Sequence, residues 1–244
     1  MENQTHVPPK PVTEVWKPEM VSLPRLTLAR RIYRFIFGYL VRAFAYSIMS
    51  IAYKGRENKP KKGPAIIVFN HLGDADAVLN LASFPYTDEV IGKIENSYDH
   101  WLVGPALRTY GVIWVHRGQP DRRALRAALD ALSEGRIIAI APEGRQTLTG
   151  GLEPGTDGAA FLAIKSGAPL IPLALTGTEN KNVYGHMKRH RRAKVTWTMG
   201  KPFHLNVDSD RREALHAGTR QIMEEIARLL PKEYRGVYDY VQDP

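Results

Sequence analysis

Short apolar runs recur through residues 65–200 and alternate with amphipathic stretches. AIIVF (65–69), VIGKI (90–94), GVIWV (111–115), RIIAIA (136–141), PLIPLAL (169–175) and KVTWTMG (194–200) read as strands. Between them, residues 77–83, 99–109, 120–134 and 156–167 read as helices. Asp121 is placed to cap the third, whose apolar stripe is Ala124, Leu125, Ala128, Leu129 and Leu132. Residues 209–230 form a last helix, with Leu215, Ile222, Ile226, Leu229 and Leu230 on one side. Strands alternating with helices predict an α/β architecture with a largely parallel central sheet flanked by helices. Ligands of such sheets gather beyond the carboxyl ends of the strands. Chemistry is therefore expected just after positions 69, 115, 141 and 175. There is no internal repeat and no low-complexity tract.

Before residue 63 the pattern differs. RLTLARRIYRFIFGYLVRAFAYSIMSIAYKGR (25–56) mixes large aliphatic and aromatic residues with arginines, and Arg34 and Arg42 interrupt its apolar stretch. It is too broken for a simple spanning helix, which needs about 18 or more uncharged apolar residues. It suits a helix lying in a membrane interface, with rings at headgroup level and arginines snorkelling to phosphates. The alternative is an amphipathic helix packed on the protein's own core. Residues 1–24 lack the charged-then-apolar pattern of a secretory signal and read as a loosely ordered, proline-bearing arm.

Charge sharpens this division. Residues 1–62 hold 12 Lys and Arg against 4 Asp and Glu, whereas the remaining chain is nearly balanced, so most of the net +9 lies in the N-terminal quarter. A basic segment seeks nucleic acid or an anionic membrane. Here the cations alternate with bulky aliphatics, which favours a membrane and argues against nucleic acid. A second cluster, Lys188 to Arg192, reads as a solvated loop face that adds to that attraction. The chain has no cysteine, which excludes disulfides, a thiol nucleophile and cysteine-ligated metal.

Three polar clusters follow strands. Asn70-His71-Leu72-Gly73-Asp74-Ala75-Asp76 follows the first. A neutral imidazole accepts a proton through one nitrogen while a carboxylate on the other fixes its tautomer. On a continuous helix His71 and Asp76 would stand about 140° apart. They meet if His71 lies in a loop and the helix begins near Gly73 or Asp74; Asp74 is the rival partner by spacing, or a helix cap. Pro142-Glu143-Gly144-Arg145-Gln146-Thr147 and His116-Arg117-Gly118 follow two other strands. An arginine fork matches phosphate oxygens, although a surface ion pair is its commoner fate. No G-x-S-x-G elbow is present to supply an activated serine.

Together these residues resemble the glycerolipid acyltransferase family typified by 1-acylglycerol-3-phosphate acyltransferases. Asn70, His71 and Asp76 match its N-H-x-x-x-x-D block. Gly111, Trp114 and Arg117 match G-x-x-F-x-x-R with tryptophan for phenylalanine. Pro142, Glu143 and Gly144 match F-P-E-G-T-R, and Leu170-Ile171-Pro172-Leu173-Ala174 matches a fourth, apolar block. The third block departs from the pattern, because Arg145 comes one position early and Gln146 holds the usual arginine's place. Either Arg145 reaches the phosphate by another route or the acceptor differs.

The resemblance implies that His71 acts as general base and Asp76 orients it. Asn70, Gly111, Arg117, Glu143, Gly144 and Arg145 then bind substrate, and amides near Gly144 stabilise the oxyanion. It implies an acyl-CoA or acyl carrier protein donor, a lysophospholipid acceptor, no metal and no further cofactor. An anionic membrane surface is the expected partner, at the cytoplasmic face, with the protein peripheral or monotopic. Another lysophospholipid, an amino-acid lipid or a glycolipid is the alternative acceptor, and a non-catalytic membrane-binding homologue or a thioesterase the alternative function. The expected organisation is an arm (1–24), an interfacial segment (25–56), an acyltransferase domain (57–231) and a tail (232–244).

Overall fold

A computed structural model describes residues 9–14, 16–84, 88–98, 101–118, 120–206 and 212–242. Helix α1 (Leu28–Ile48) starts where Thr27 Oγ1 accepts the Arg30 amide, and passes directly into β1 (Met49–Lys54). Then follow β2 (Ala65–Phe69), α2 (Ala75–Ser83), β3 (Asp88–Lys93), α3 (Val103–Tyr110), β4 (Ile113–Val115), α4 (Arg122–Ser133) and β5 (Ile137–Ile140). The chain continues through α5 (Gly158–Ser166), β6 (Leu170–Thr176), α6 (Asn180–Met187), β7 (Ala193–Met199) and α7 (Arg212–Leu229). All six expected strands are present. Residues 99 and 100 of the expected second helix, and 209–211 of the last, lie outside the described residues.

The strands form one sheet in the order β1-β7-β6-β2-β5-β3-β4. Strands β2 to β6 run parallel, while β7 is antiparallel to β6 and β1 is parallel to β7. The central strands are apolar throughout because both faces are covered. Ile66 and Val68 face the layer of α4, α5 and α7, with Ala128, Leu162 and Ile226 in the same cluster. Ala65 and Ile67 face the other layer, with Leu79 of α2, Val183 of α6 and Trp197 of β7. Burying an isoleucine fully is worth about 1.5–3 kcal/mol relative to exposure, so this register resists a one-residue slip.

Two elements were not expected. Strand β1 lies inside the segment read as interfacial; it alternates Met49, Ile51 and Tyr53 toward the protein and follows α1 with no Gly or Pro to mark the change. Helix α6 is short and polar, and only Val183 is buried.

The N-terminal arm also departs from the expected loose order. Residues 9–14 and 16–24 run against the body: Thr13 donates its amide to the Arg117 carbonyl at 3.0 Å, and Lys10 Nζ donates to the Pro154 carbonyl at 2.9 Å.

Helix α1 packs on α2 and α3. Its arginines do not all snorkel outward as expected. Arg34 is buried and makes a bidentate pair with buried Glu89, both contacts at 2.7 Å, while its Nε donates to the Tyr110 carbonyl. The outward face is instead apolar, with Leu28, Ile32, Phe35, Ile36, Tyr39, Leu40 and Phe44 exposed at helical spacing. No helix among the described residues is long and apolar enough to cross a membrane.

Candidate active site

Parallel strands β2 to β6 bring their carboxyl ends to one rim, and with them the residues after Phe69, Val115, Ile140 and Thr176. His71 lies in the loop before α2, which begins at Ala75, so the chain turns between His71 and Asp76. His71 Nδ1 donates to Asp76 Oδ2 at 2.7 Å. The same oxygen accepts the Leu72 and Gly73 amides at 2.6 and 2.9 Å. Asp76 is fully buried, while a quarter of the His71 side chain is exposed. Nδ1 being engaged, Nε2 is the nitrogen left for a substrate.

The rival carboxylate is turned away. Asp74 accepts from Gln146 Nε2 at 2.7 Å and from the Tyr184 hydroxyl at 2.8 Å, and its side chain makes no cap bond. Asn180 Oδ1 accepts the Asp74 amide at 2.8 Å. The His71 loop is thus fastened to α6, which the sequence reading missed. Gly73 permits this approach, since a Cβ there would stand 2.6 Å from the Thr178 carbonyl oxygen.

The residues expected to bind substrate divide into two groups. Asn70, Glu143 and Arg145 hold the scaffold. Asn70 is buried and exchanges two hydrogen bonds with the Leu175 backbone, 2.9 and 2.7 Å, tying the end of β2 to β6. Glu143 is buried and accepts the His71 amide on Oε1 at 2.9 Å and the Glu153 amide on Oε2 at 2.8 Å. Burial pushes its carboxyl up to about 7, against the pull of those two amides. Arg145 is buried too; Nε pairs with Glu153 Oε2 at 2.7 Å, and one Nη donates to the Pro9 carbonyl. That ion pair and the arm cover it, and its other Nη has no partner among the described residues.

Gly144 donates its amide to the Ala141 carbonyl at 3.1 Å, so of the amides near Gly144 its own is engaged. The Thr147 amide donates to the His71 carbonyl at 2.7 Å. Among the described residues the intervening Arg145 and Gln146 amides donate to no acceptor. Gly111 is far from this rim by topology. It ends α3 in the left-handed conformation, φ +87°, against Pro24, at the amino end of β4.

Arg117 does reach the rim. Its Nη2 pairs with Glu95 Oε1 at 3.1 Å, and its amide donates to Thr13 Oγ1 at 2.7 Å. Nε has no partner among the described residues. Burial opposes the ionisation of Glu95, but hydrogen bonds from its surroundings, the Arg117 guanidinium among them, hold the carboxyl below its ordinary value. Lys93, last residue of β3, stands half-buried on the same rim and makes no ion pair among the described residues. The sequence reading passed over it; its place as the final residue of a strand is the signal that marks it.

A second histidine–aspartate pair adjoins. His116 Nδ1 donates to Asp121 Oδ2 at 2.8 Å, and Nε2 accepts the Lys17 amide at 3.0 Å under the Trp16 ring, 4.2 Å away. Both nitrogens are occupied and the ring is buried, so this pair anchors the arm and leaves no nitrogen for a substrate.

Comparisons place this arrangement among known proteins. The chain is 31% identical over 135 residues to a 1-acyl-sn-glycerol-3-phosphate acyltransferase of Borreliella burgdorferi, covering 54% of this chain and 53% of that protein. It is 27% identical over 152 residues to a chloroplastic 1-acyl-sn-glycerol-3-phosphate acyltransferase of Brassica napus, covering 61% and 44%. The chain thus spans about half the length of the curated relatives it matches. Its fold matches that of the 1-acyl-sn-glycerophosphate acyltransferase PlsC from Thermotoga maritima, with a TM-score of 0.57 at 24% identity over 79% of this chain and 76% of that one. The acyltransferase family model matches residues 50–176, which contain the whole His71 loop and all four blocks, and the chain belongs to the acyltransferase family.

Proposed function

We propose that this chain transfers a fatty acyl group from an acyl-CoA or acyl carrier protein thioester to the free hydroxyl of 1-acylglycerol-3-phosphate, giving phosphatidic acid at a bilayer surface. The observation that carries the reading is the His71–Asp76 pair, held on the rim with Nε2 without a partner among the described residues. The relatives named above act on this acceptor by name, which supports the choice.

His71 Nε2 takes the proton of the acceptor hydroxyl as its oxygen attacks the thioester carbonyl. The tetrahedral adduct collapses by breaking the C–S bond, and the imidazolium returns its proton to the leaving thiolate. Asp76 keeps the proton on Nδ1 in the resting state and stabilises the imidazolium while it lasts. We assign the oxyanion to the Arg145 and Gln146 amides, beside the Thr147 amide that fixes His71. Arg117 and Lys93 receive the acceptor phosphate, Arg117 by exchanging its contact with Glu95. The exposed stripe of α1 contacts the bilayer, where acceptor and product reside.

The test is thiol release by the purified chain from oleoyl-CoA with 1-acylglycerol-3-phosphate in micelles, followed by separation of the lipids. Acceptor-dependent release with phosphatidic acid formed, lost in His71→Ala, is the expected result. Release that ignores the acceptor makes the protein a thioesterase. Equal turnover by a folded His71→Ala variant removes the mechanism.

A further inference from the structure

Three of the four arginines of α1 are buried or half-buried, so the helix presents little charge on its outward face. Of its arginines, Arg34 is internal and paired with Glu89. Arg30 donates to the Thr109 and Arg25 carbonyls, Arg31 to the Leu26 carbonyl, and Arg42 lies over the Tyr46 ring at 5.6 Å. The outward stripe is apolar from Leu28 to Phe44. The stripe itself gives affinity for any bilayer, and of the α1 cations only Arg31 stands exposed beside it.

Charge is concentrated elsewhere on the same side. Lys188, Arg189, His190, Arg191 and Arg192 link α6 to β7 and are all exposed. Strand β7 is antiparallel to β6, so this loop stands at the rim where the parallel strands end. The loop has a fixed shape. The amides of Arg189 and Arg191 both bond the His186 carbonyl, the His190 amide bonds the Met187 carbonyl, and His190 turns the chain with φ 52°. It also touches α1, for Arg192 donates to the Tyr46 carbonyl at 3.3 Å and Ala193 pairs with Met49 directly after the helix. Among the described residues Lys188, Arg189 and Arg191 form no ion pair, and no acid interrupts the run.

We propose that the Lys188–Arg192 loop binds the headgroups of anionic bilayer lipids, and that with the α1 stripe it forms one two-part docking surface. The inference rests on the membrane reading above and deepens it. The stripe inserts, while the loop selects an anionic leaflet and turns the His71 rim toward it. Charge complementarity argues for an anionic surface. Continuity with exposed Leu40, Phe44 and Tyr46 argues for a bilayer over nucleic acid, which has no use for an adjoining aliphatic stripe.

The experiment is co-sedimentation of the full chain with vesicles of phosphatidylcholine alone, or mixed with phosphatidylglycerol. The wild type binds the mixed vesicles more tightly, and added salt removes the difference. Each surface cation is worth roughly fivefold in affinity near an anionic bilayer, so replacing three costs about a hundredfold. The triple variant Lys188→Gln, Arg189→Gln, Arg191→Gln therefore loses about that factor on mixed vesicles. It keeps its affinity for phosphatidylcholine and its thiol release in micelles. A variant that retains the anionic preference overturns the proposal, and so does a wild type indifferent to vesicle charge. The pair Leu40→Glu, Phe44→Glu weakens binding to both vesicle types, which tests the stripe separately. A wild type that binds neither vesicle refutes the membrane reading and this inference with it. Binding a duplex RNA oligonucleotide as tightly as mixed vesicles, with both lost in the triple variant, makes the loop a general polyanion site and overturns the lipid assignment.

Discussion

Replacing Asp76 by asparagine isolates the carboxylate's charge from its shape. In the wild type, Oδ2 accepts three hydrogen bonds: from Nδ1 of His71 and from the Leu72 and Gly73 amides. The side chain is fully buried, and Oδ1 has no partner among the described residues. An asparagine oxygen in the Oδ2 position still accepts the two amides, so the loop keeps its path. The amide nitrogen then occupies the Oδ1 site, which offers it no acceptor among the described residues. Bonds to an ionised group become bonds to a neutral one, which costs about 1–3 kcal/mol of stability.

Catalysis suffers more than stability. The imidazolium formed as the acceptor loses its proton no longer faces a carboxylate, in a site where water screens little. A positioned general base contributes typically 10²–10⁴ in rate, which is about 3–5 kcal/mol at 1.36 kcal/mol per decade. Asp76→Asn is therefore expected to lower kcat by about 10²–10⁴ with little change in either Michaelis constant. The assay is initial thiol release with saturating acceptor and donor, beside a urea denaturation curve showing that the variant is folded. A folded variant within tenfold of wild-type kcat would show that Asp76 serves the Leu72–Gly73 turn alone.

Other residues give sharper tests of the surrounding frame. The Glu143 carboxyl is raised from 4.5 to about 7 on folding, so its stabilising share is complete below pH 4.5 and is lost as pH rises through 7. The shift corresponds to about 3 kcal/mol. Urea midpoints between pH 5 and 8 should fall more steeply for wild type than for Glu143→Gln, and parallel curves would discard this titration. Arg117→Ala should raise the acceptor's Michaelis constant about 10–100-fold, the worth of one or two charge-assisted bonds, and leave the donor's unchanged; a donor-only effect would move the phosphate site. Arg34→Met leaves Glu89 buried with, among the described residues, only Arg136 paired to it, at 3.2 Å, and should cost about 3–5 kcal/mol in denaturation. Trp16→Ala uncovers His116 and loosens the arm on Arg117, so acceptor affinity should fall while kcat at saturation persists.

The central sheet was legible because its strands are apolar on both faces and stop abruptly at polar residues. Ala65 to Phe69 followed by Asn70-His71 is the clearest case. Asking where a helix could begin showed how His71 and Asp76 can meet but left Asp74 as a rival; the family resemblance chose Asp76, and α2 does begin between it and His71. Strand β1 was not legible, because an edge strand paired on one side needs only Met49, Ile51 and Tyr53 inward. The helix before it carries so many apolar residues that no change of period shows. Helix α6 was hidden for the opposite reason, having too little apolar surface to leave a stripe. The fate of Arg34 was beyond reach: its partner Glu89 lies 55 positions away, and only the fold brings them together.

The block residues around His71 raise a point that sequence spacing alone does not separate. A residue can belong to a catalytic motif because it meets substrate or because it holds the one that does. Asn70 spends both ends of its amide on Leu175, Glu143 both oxygens on His71 and Glu153, and Arg145 its Nε on Glu153. Each is almost wholly buried. The backbone of His71 is thereby fixed at its nitrogen by Glu143 and at its carbonyl by Thr147, and its ring by Asp76. A general base must sit within about 2.6–3.2 Å of the proton it takes, and an imidazole on an otherwise free loop would not hold that distance. The departure at Arg145 and Gln146 is tolerable on these terms. Arg145 serves the frame through Glu153, and Gln146 reaches Asp74 on the far side of the same loop. In the proposed mechanism the phosphate then falls to Lys93 at the end of β3 and Arg117 just after β4.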